Sequence, residues 1–185
     1  MKTDMRVAVS KRMLREGLLR CLEAKPISKI TVSELCIESG INRATFYNHY
    51  DAPIMILKEM AHEYFEQLSG IYETNVRKQE KNDSAAIEAC LEYISERKTE
   101  IKVLFSEHAE HYLAGVCMEI INEIVKKDAT LTSSTELYDE YLLRTATSAS
   151  AVFGFIQIWL TMGIDKTPKE LVGILKNVVN GNMFR

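Results

Sequence analysis

The side chains whose types and spacing suggest recognition chemistry lie on one short stretch, residues 43–50. Phe46 and Tyr50 are four residues apart, so on a helix they face the same way, towards the interior. The outer face then carries Arg43, Ala44, Tyr47 and the amide of Asn48. A guanidinium can donate two hydrogen bonds to guanine, and a small apolar side chain can contact a thymine methyl group. This face therefore predicts contact with base edges in double-stranded DNA.

The residues before this stretch can position it. Thr31 and Glu34 fit a capping box for a helix over Val32–Ser39. Gly40 then permits a sharp turn, and Asn42 is a good N-cap for a third helix over Arg43–Tyr50. A first helix is predicted over Val7–Ala24. Together these elements predict a helix-turn-helix unit.

Residues 31–50 read TVSELCIESGINRATFYNHY and resemble the DNA-binding signature of the TetR family of regulators. The resemblance covers about residues 6–60. It implies an all-α fold with a three-helix helix-turn-helix DNA-binding domain, residues 1–53 (the head), and a helical ligand-binding and dimerisation domain, residues 54–185 (the body). It also implies a homodimer on a near-palindromic operator.

The resemblance assigns DNA-contacting roles residue by residue. Five positions resemble the family's phosphate contacts and would set register more than sequence: Thr31, Asn42, Thr45, Tyr47 and His49. Arg43, Ala44 and Asn48 complete the predicted DNA-binding set. Tyr47 could instead be a packed core ring, and His49 a cap or a solvent-facing imidazole.

Position 53 departs from the family pattern. The family usually carries a lysine there that touches phosphate, whereas this chain has Pro53. The contact is then either lost or supplied by Lys29 or Lys58.

The body shows helical periodicity and no strand signal. Its predicted helices are 54–81, 85–98, 100–106, 109–127, 136–162 and 168–180. The pattern from Phe153-Gly154 through Trp159 to Thr167-Pro168 resembles a TetR subgroup that includes the dihydroxyacetone-kinase regulators. Some of that subgroup act as co-activators with protein partners, so a protein-binding co-activator or adaptor stands as the alternative to a repressor that a small molecule releases.

A dimer interface is predicted on the last two helices of the body, with ordinary packing within the chain as the alternative. Its expected residues are Ser148, Val152, Phe155, Leu171, Leu175 and Val178. An effector pocket is predicted between the body helices. Its candidates, each of which could instead be plain core, are Tyr93, Leu104, Phe105, Tyr112, Cys117 and Trp159. The effector itself is unknown, and a mostly apolar compound with one or two hydrogen-bonding groups is expected.

The distribution of charge favours DNA binding, and the absence of catalytic motifs argues against an enzyme. The net charge is −3, yet residues 1–50 hold nine lysines and arginines against five acidic residues, so the head is basic and the body acidic. DNA binding should therefore weaken as salt rises. The chain lacks a phosphate loop, an H-E-x-x-H and a G-x-S-x-G, which argues against an enzyme, and no cofactor is expected.

The sequence does not predict a metal site, a membrane-spanning segment or disulfide bonds. His108 and His111 are three apart beside Glu107, but no third and fourth ligand is evident, so no metal is predicted. The four cysteines form no C-x-x-C pair and read as reduced thiols. No segment has the length and apolarity of a signal peptide or membrane span, which predicts a cytoplasmic protein.

Overall fold

The computed structural model describes residues 2–78, 83–109, 112–119 and 135–179, and these are helical apart from turns. The elements are α1 (Lys2–Ala24), a 3-10 turn (Ile27–Lys29), α2 (Val32–Ser39), α3 (Arg43–Tyr47), α4 (Pro53–Lys78), α5 (Asp83–Glu96), α6 (Lys98–Leu104), α7 (112–119), α8 (Thr135–Thr161) and α9 (Pro168–Val179). No strand occurs within the described ranges. The all-α prediction is confirmed.

Most helices lie where the sequence patterns predict them, but α3 is shorter than predicted. It ends at Tyr47, three residues before the predicted Tyr50. The chain leaves the helix at Asn48, and the Tyr50 ring is buried in the same cluster as Ile56 and Leu57 of α4. The predicted continuation of α4 to residue 81 and of α7 to residue 127 lies outside the described residues.

The head is built around leucines of α1. Leu14, Leu18 and Leu22 are fully buried on one face, and Leu35 and Phe46 pack against them from α2 and α3. Gly40 adopts a left-handed conformation with φ 69° and makes the turn between α2 and α3.

One close approach makes the packing of α1 on α2 specific. A Cβ at Gly17 would lie 2.8 Å from the Cβ of Ser39, which is itself buried. The two helices can therefore cross at this distance only because one residue has no side chain and the other a small one.

The hydrophobic core does not stop at the head. Ile56, Leu57 and Met60 of α4 belong to the same buried cluster as Leu14 and Phe46. Leu104, Ala109, Leu113 and Val116 extend this cluster into the body. The first turns of α4 thus pack on the head, and a division of the chain at residue 53 remains a prediction.

A second cluster forms the far end of the body. It joins α5, α6, α8 and α9 and contains Leu91, Ile94, Ile101, Trp159, Leu160, Leu171 and Val172. No described helix is both long enough and apolar enough to cross a membrane.

Candidate nucleic-acid interface and body cavity

The outer face of α3 is exposed and preorganised. Arg43, Ala44 and Asn48 are exposed, and Tyr47 is 50% exposed. Arg43 donates hydrogen bonds to Ser33 Oγ at 3.3 Å and to the Tyr47 hydroxyl at 3.5 Å, and its guanidinium lies 6.0 Å from the Tyr47 ring centroid. These contacts hold a donor-rich side chain on the surface without an acidic partner among the described residues.

Two caps fix the helices beneath this face. The Thr31 hydroxyl accepts from the Glu34 amide at 3.3 Å, and the Glu34 carboxylate accepts from the Thr31 amide at 3.0 Å. Asn42 Oδ1 accepts from the Thr45 amide at 2.8 Å. The structure therefore uses the side chains of Thr31 and Asn42 as caps, as the sequence predicts.

The aromatic residues of α3 form the layer under the exposed face. Phe46 is fully buried, with the Tyr47 ring edge-on at 5.3 Å and the Tyr50 ring at 6.2 Å. His49 is half-buried beside Tyr50, with ring centroids 6.3 Å apart, and Thr45 is also half-buried. Tyr47 thus combines an exposed hydroxyl end with a ring anchored on the core.

Most head cations are already paired with carboxylates. Arg20 binds Glu38, with Nε and Oε1 2.6 Å apart, and Lys25 binds Glu34. Lys29 is exposed, and no acidic partner contacts it in the described part of the chain. The head's net basic charge therefore overstates the number of cations free to meet phosphate.

The same contacts bear on the missing lysine at position 53. Pro53 is buried at the start of α4. Lys58 is bound to Glu119 of α7, with Nζ and Oε1 3.5 Å apart. Of Lys29 and Lys58, Lys29 is the one without an acidic partner among the described residues.

An ionic cluster joins α1 to α4. Lys11 Nζ lies 3.0 Å from Glu59, and Arg15 binds Glu59 at 2.8 Å and also Glu63. Burial alone would raise the pKa of Glu59, but hydrogen bonds from Lys11 and Arg15 outweigh it and lower that pKa. Lys11 Nζ also lies 5.4 Å from the centroid of the Tyr50 ring, so the cluster ties α4 to the layer beneath α3.

A cavity of about 1080 Å³ lies between α4, α6, α7 and α8. Of the predicted pocket residues, Leu104, Phe105 and Cys117 line it. Burial raises the pKa of the Cys117 thiol, which therefore stays protonated and behaves as an apolar wall. Tyr64 and Phe65 of α4, which are not among the residues predicted from sequence, also line it.

The other three predicted pocket residues lie elsewhere. Tyr93 faces a smaller polar pocket, where the Arg97 guanidinium stacks 4.0 Å from its ring centroid. Trp159 is buried in the second core cluster, and Tyr112 is exposed. None of the three lines the cavity.

The residues predicted for the dimer interface lie in different environments. Ser148 and Val152 line the cavity, and Phe155 is half-buried against the second cluster. Leu171 and Leu175 are buried inside the chain, so they are not available to a partner, and the side chain of Val178 lies outside the described residues. The large apolar residues exposed on α8 and α9 are Leu143, Ile158 and Ile174, and Met162 is exposed in the turn after α8.

His108 connects the body to the head. Its Nδ1 lies 2.6 Å from the Leu22 carbonyl oxygen, which can only accept, so the ring donates there. The Ile27 amide donates to the His108 carbonyl at 3.0 Å. Among the described residues no three potential ligands cluster, and His111 lies outside them.

A family model, TetR_C_8, transcriptional regulator C-terminal region, matches residues 81–181, more than half of the chain. The chain belongs to the TetR family of transcriptional regulators. This assignment rests on the body and agrees with the resemblance of the head, which the matched region does not include.

One solved structure supports the fold of this TetR family member. A TetR transcriptional regulator from Streptococcus agalactiae 2603V is similar with a TM-score of 0.60 at 16% identity, covering 97% of this chain and 98% of that one. The dihydroxyacetone kinase operon activator DhaS is similar with a TM-score of 0.48 at 13% identity, covering 94% of this chain and 96% of that one. No curated protein matches by sequence.

Proposed function

We propose that this TetR family regulator binds a near-palindromic DNA site as a homodimer and acts as a repressor that a small molecule releases. The observation that carries the proposal is the exposed Arg43–Tyr47 pair on a capped helix, since it offers a guanidinium and a phenol to a groove with no competing carboxylate among the described residues. Thr31, Asn42, Thr45, Asn48 and His49 lie around it as candidates for contacts that set the register.

The cavity supplies the proposed effector site, and α4 supplies the connection to DNA. Tyr64 and Phe65 line the cavity, while Glu59 and Glu63 on the same helix bind Arg15 of α1. A ligand that shifts α4 would therefore move the head, because α4 and α1 are held together by ions as well as by the core. Ligand and DNA would then oppose each other reciprocally, typically by about 1–3 kcal/mol.

The exposed apolar side chains of α8 support the homodimer. Ile158 is 52% exposed, and Met162, one turn further on and directly after the end of α8, is 73% exposed. Two copies of this face would cover each other around a two-fold axis, and the two heads would then meet two half-sites of one palindrome. We further propose that residues 1–53 and 54–185 divide these tasks, without enzymatic activity, in the cytoplasm where the DNA target lies.

Fluorescence anisotropy with DNA from the region upstream of the protein's own coding sequence tests the proposal. We expect saturable binding to a near-palindromic site, with affinity falling steeply as salt rises. Scrambled DNA of equal length is the control. Equal affinity for both DNAs at physiological salt would contradict an operator-binding repressor and would favour the alternative, a protein-binding co-activator.

A further inference from the structure

We propose that the body cavity binds an elongated amphipathic molecule tail first, with an unbranched apolar tail in the closed end and a hydrogen-bonding head at the open end. The inference rests on the proposed effector site and adds the chemical class and orientation of its ligand. It is carried by the shape of the cavity and by the distribution of polarity along α8.

The cavity is long. Residues of α8 line it from Glu140 to Gln157, and at 1.5 Å per residue this stretch of helix is about 25 Å long. For a cavity of about 1080 Å³, such a length implies a shape longer than it is wide. A linear molecule fills this shape better than a compact one of equal volume, because more of its apolar surface touches the walls.

One end of the cavity, the closed end, lies against the second core cluster and is largely apolar, with Gln157 as a polar exception. Leu68, Ile94, Ile101 and Ile156 line it, and Ile94 and Ile101 are almost fully buried. No charged side chain lines this end within the described part of the chain. A charged group placed there would lose its hydration without a counter-ion, whereas an aliphatic tail would gain from leaving water.

The other end is polar and open to solvent. Tyr141, Thr145 and Ser148 place hydroxyl groups there, and Arg144 is bound to Glu140 with Nη1 and Oε1 3.3 Å apart. Because these two charges neutralise each other, this end selects neither an anion nor a cation strongly. We infer that the head is held by hydrogen bonds and remains in contact with water.

Isothermal calorimetry with alcohols below their aqueous solubility limits tests the shape. Octanol, decanol and dodecanol should gain about fourfold in affinity with each added methylene. 1-Adamantanol, which has the same number of carbons as decanol in a compact cage, should bind at least about tenfold more weakly, since it leaves the ends of the cavity unfilled. Equal or tighter binding of adamantanol would overturn the inference.

The orientation is tested with heads of different charge on one tail. Dodecanol, dodecanoate and dodecyltrimethylammonium should bind within about tenfold of one another, because each head stays in water at the neutral open end. A difference of more than about a hundredfold between the anion and the cation would show that the head is buried beside a charge and would overturn the tail-first arrangement.

A variant of the closed end locates the tail. Ile156→Phe should shorten the closed end, so affinity should stop rising at a shorter alcohol than in the wild type, while octanol binding stays unchanged. Ile37→Phe makes the same substitution at an isoleucine of the head that is 82% exposed and should leave the series unchanged. An Ile156→Phe series identical to the wild type, in a protein with normal helical content, would refute the placement.

These binding measurements are independent of DNA. If the linear alcohols bind as expected but DNA affinity does not change, the ligand class stands and the effector role fails. If a compact compound releases DNA while the linear series does not bind, the effector role stands and the ligand class is wrong.

Discussion

At the scale of single residues, Tyr47 and Phe46 occupy opposite environments although they are neighbours. Tyr47 is 50% exposed and Phe46 fully buried. We expect Tyr47→Ala to abolish operator binding by anisotropy while circular dichroism and sedimentation stay unchanged. Phe46→Ala should instead destabilise the head by about 3–5 kcal/mol because it empties a core position. Normal operator affinity in a folded Tyr47→Ala protein would show that this ring does not face DNA.

Glu34 makes head stability depend on pH. A hydrogen bond from Lys25, followed by those from Thr31, lowers the pKa of Glu34 from 4.5 to about 2. Because the folded pKa lies below the unfolded one, this stabilisation is present above pH 4.5 and is lost as pH falls towards 2. Glu34→Gln keeps a hydrogen-bond acceptor for the capping box but loses the charge.

The melting temperature of Glu34→Gln should therefore lie below that of the wild type at pH 7, and the difference should shrink as pH falls below 4.5. Thermal melts between these pH values measure it. A difference that stays constant down the whole series would mean that the Lys25–Glu34 ion pair does not contribute.

At the scale of the elements, the crossing of α1 and α2 depends on Gly17. A Cβ there would meet Ser39 at 2.8 Å, and part of that contact is with backbone, so the helices would have to move apart. We expect Gly17→Ala to lower the free energy of unfolding by about 1–3 kcal/mol and to weaken DNA binding. Urea denaturation measures the first effect.

Gly70 on α4 provides the matched control. Nothing lies within 4 Å of a Cβ placed there, and the residue is exposed. Gly70→Ala should therefore stabilise the protein by about 0.5–1 kcal/mol through helix propensity alone. If both alanine variants were stabilised, that result would contradict the close approach of α1 and α2 at Gly17.

At the scale of the whole molecule, the exposed face of α8 should decide the oligomeric state. Ile158→Arg would place a charge in an apolar interface, where it would have to be desolvated without a partner. We expect the wild type to sediment as a dimer at micromolar concentration and Ile158→Arg to sediment as a monomer. Ile37→Arg, at an isoleucine of the head that is 82% exposed, should leave the dimer intact.

The continuous core predicts that head and body unfold together. Trp159, the chain's one tryptophan, is buried in the body and reports on it by fluorescence, whereas circular dichroism reports on all helices. The two urea transitions should coincide, as for one cooperative unit. Glu59→Gln weakens the ionic cluster between α1 and α4 and should lower the free energy of unfolding by about 1 kcal/mol. Both urea midpoints should then fall together. Separated transitions would indicate that residues 1–53 and 54–185 fold independently.

Local features of the head could be read from the amino-acid sequence. The Thr31–Glu34 capping box, the Asn42 cap, the turn at Gly40 and the inward orientation of Phe46 and Tyr50 are all confirmed. Each depends on atoms only a few residues apart, so residue type and spacing suffice to predict it. The all-α fold class follows in the same way from helical periodicity.

Features that depend on distant segments were decided by the tertiary structure. The sequence indicates aromatic residues in the body, but only the packing shows that Tyr64 and Phe105 line the cavity while Trp159 fills the core beside it. Likewise α8 is apolar on several faces, and its pattern alone could not show that Ile158 would remain exposed. The physical reason is that helical periodicity gives the orientation of residues around one axis, whereas burial depends on which other helices cover each face, and those lie tens of residues away in the chain.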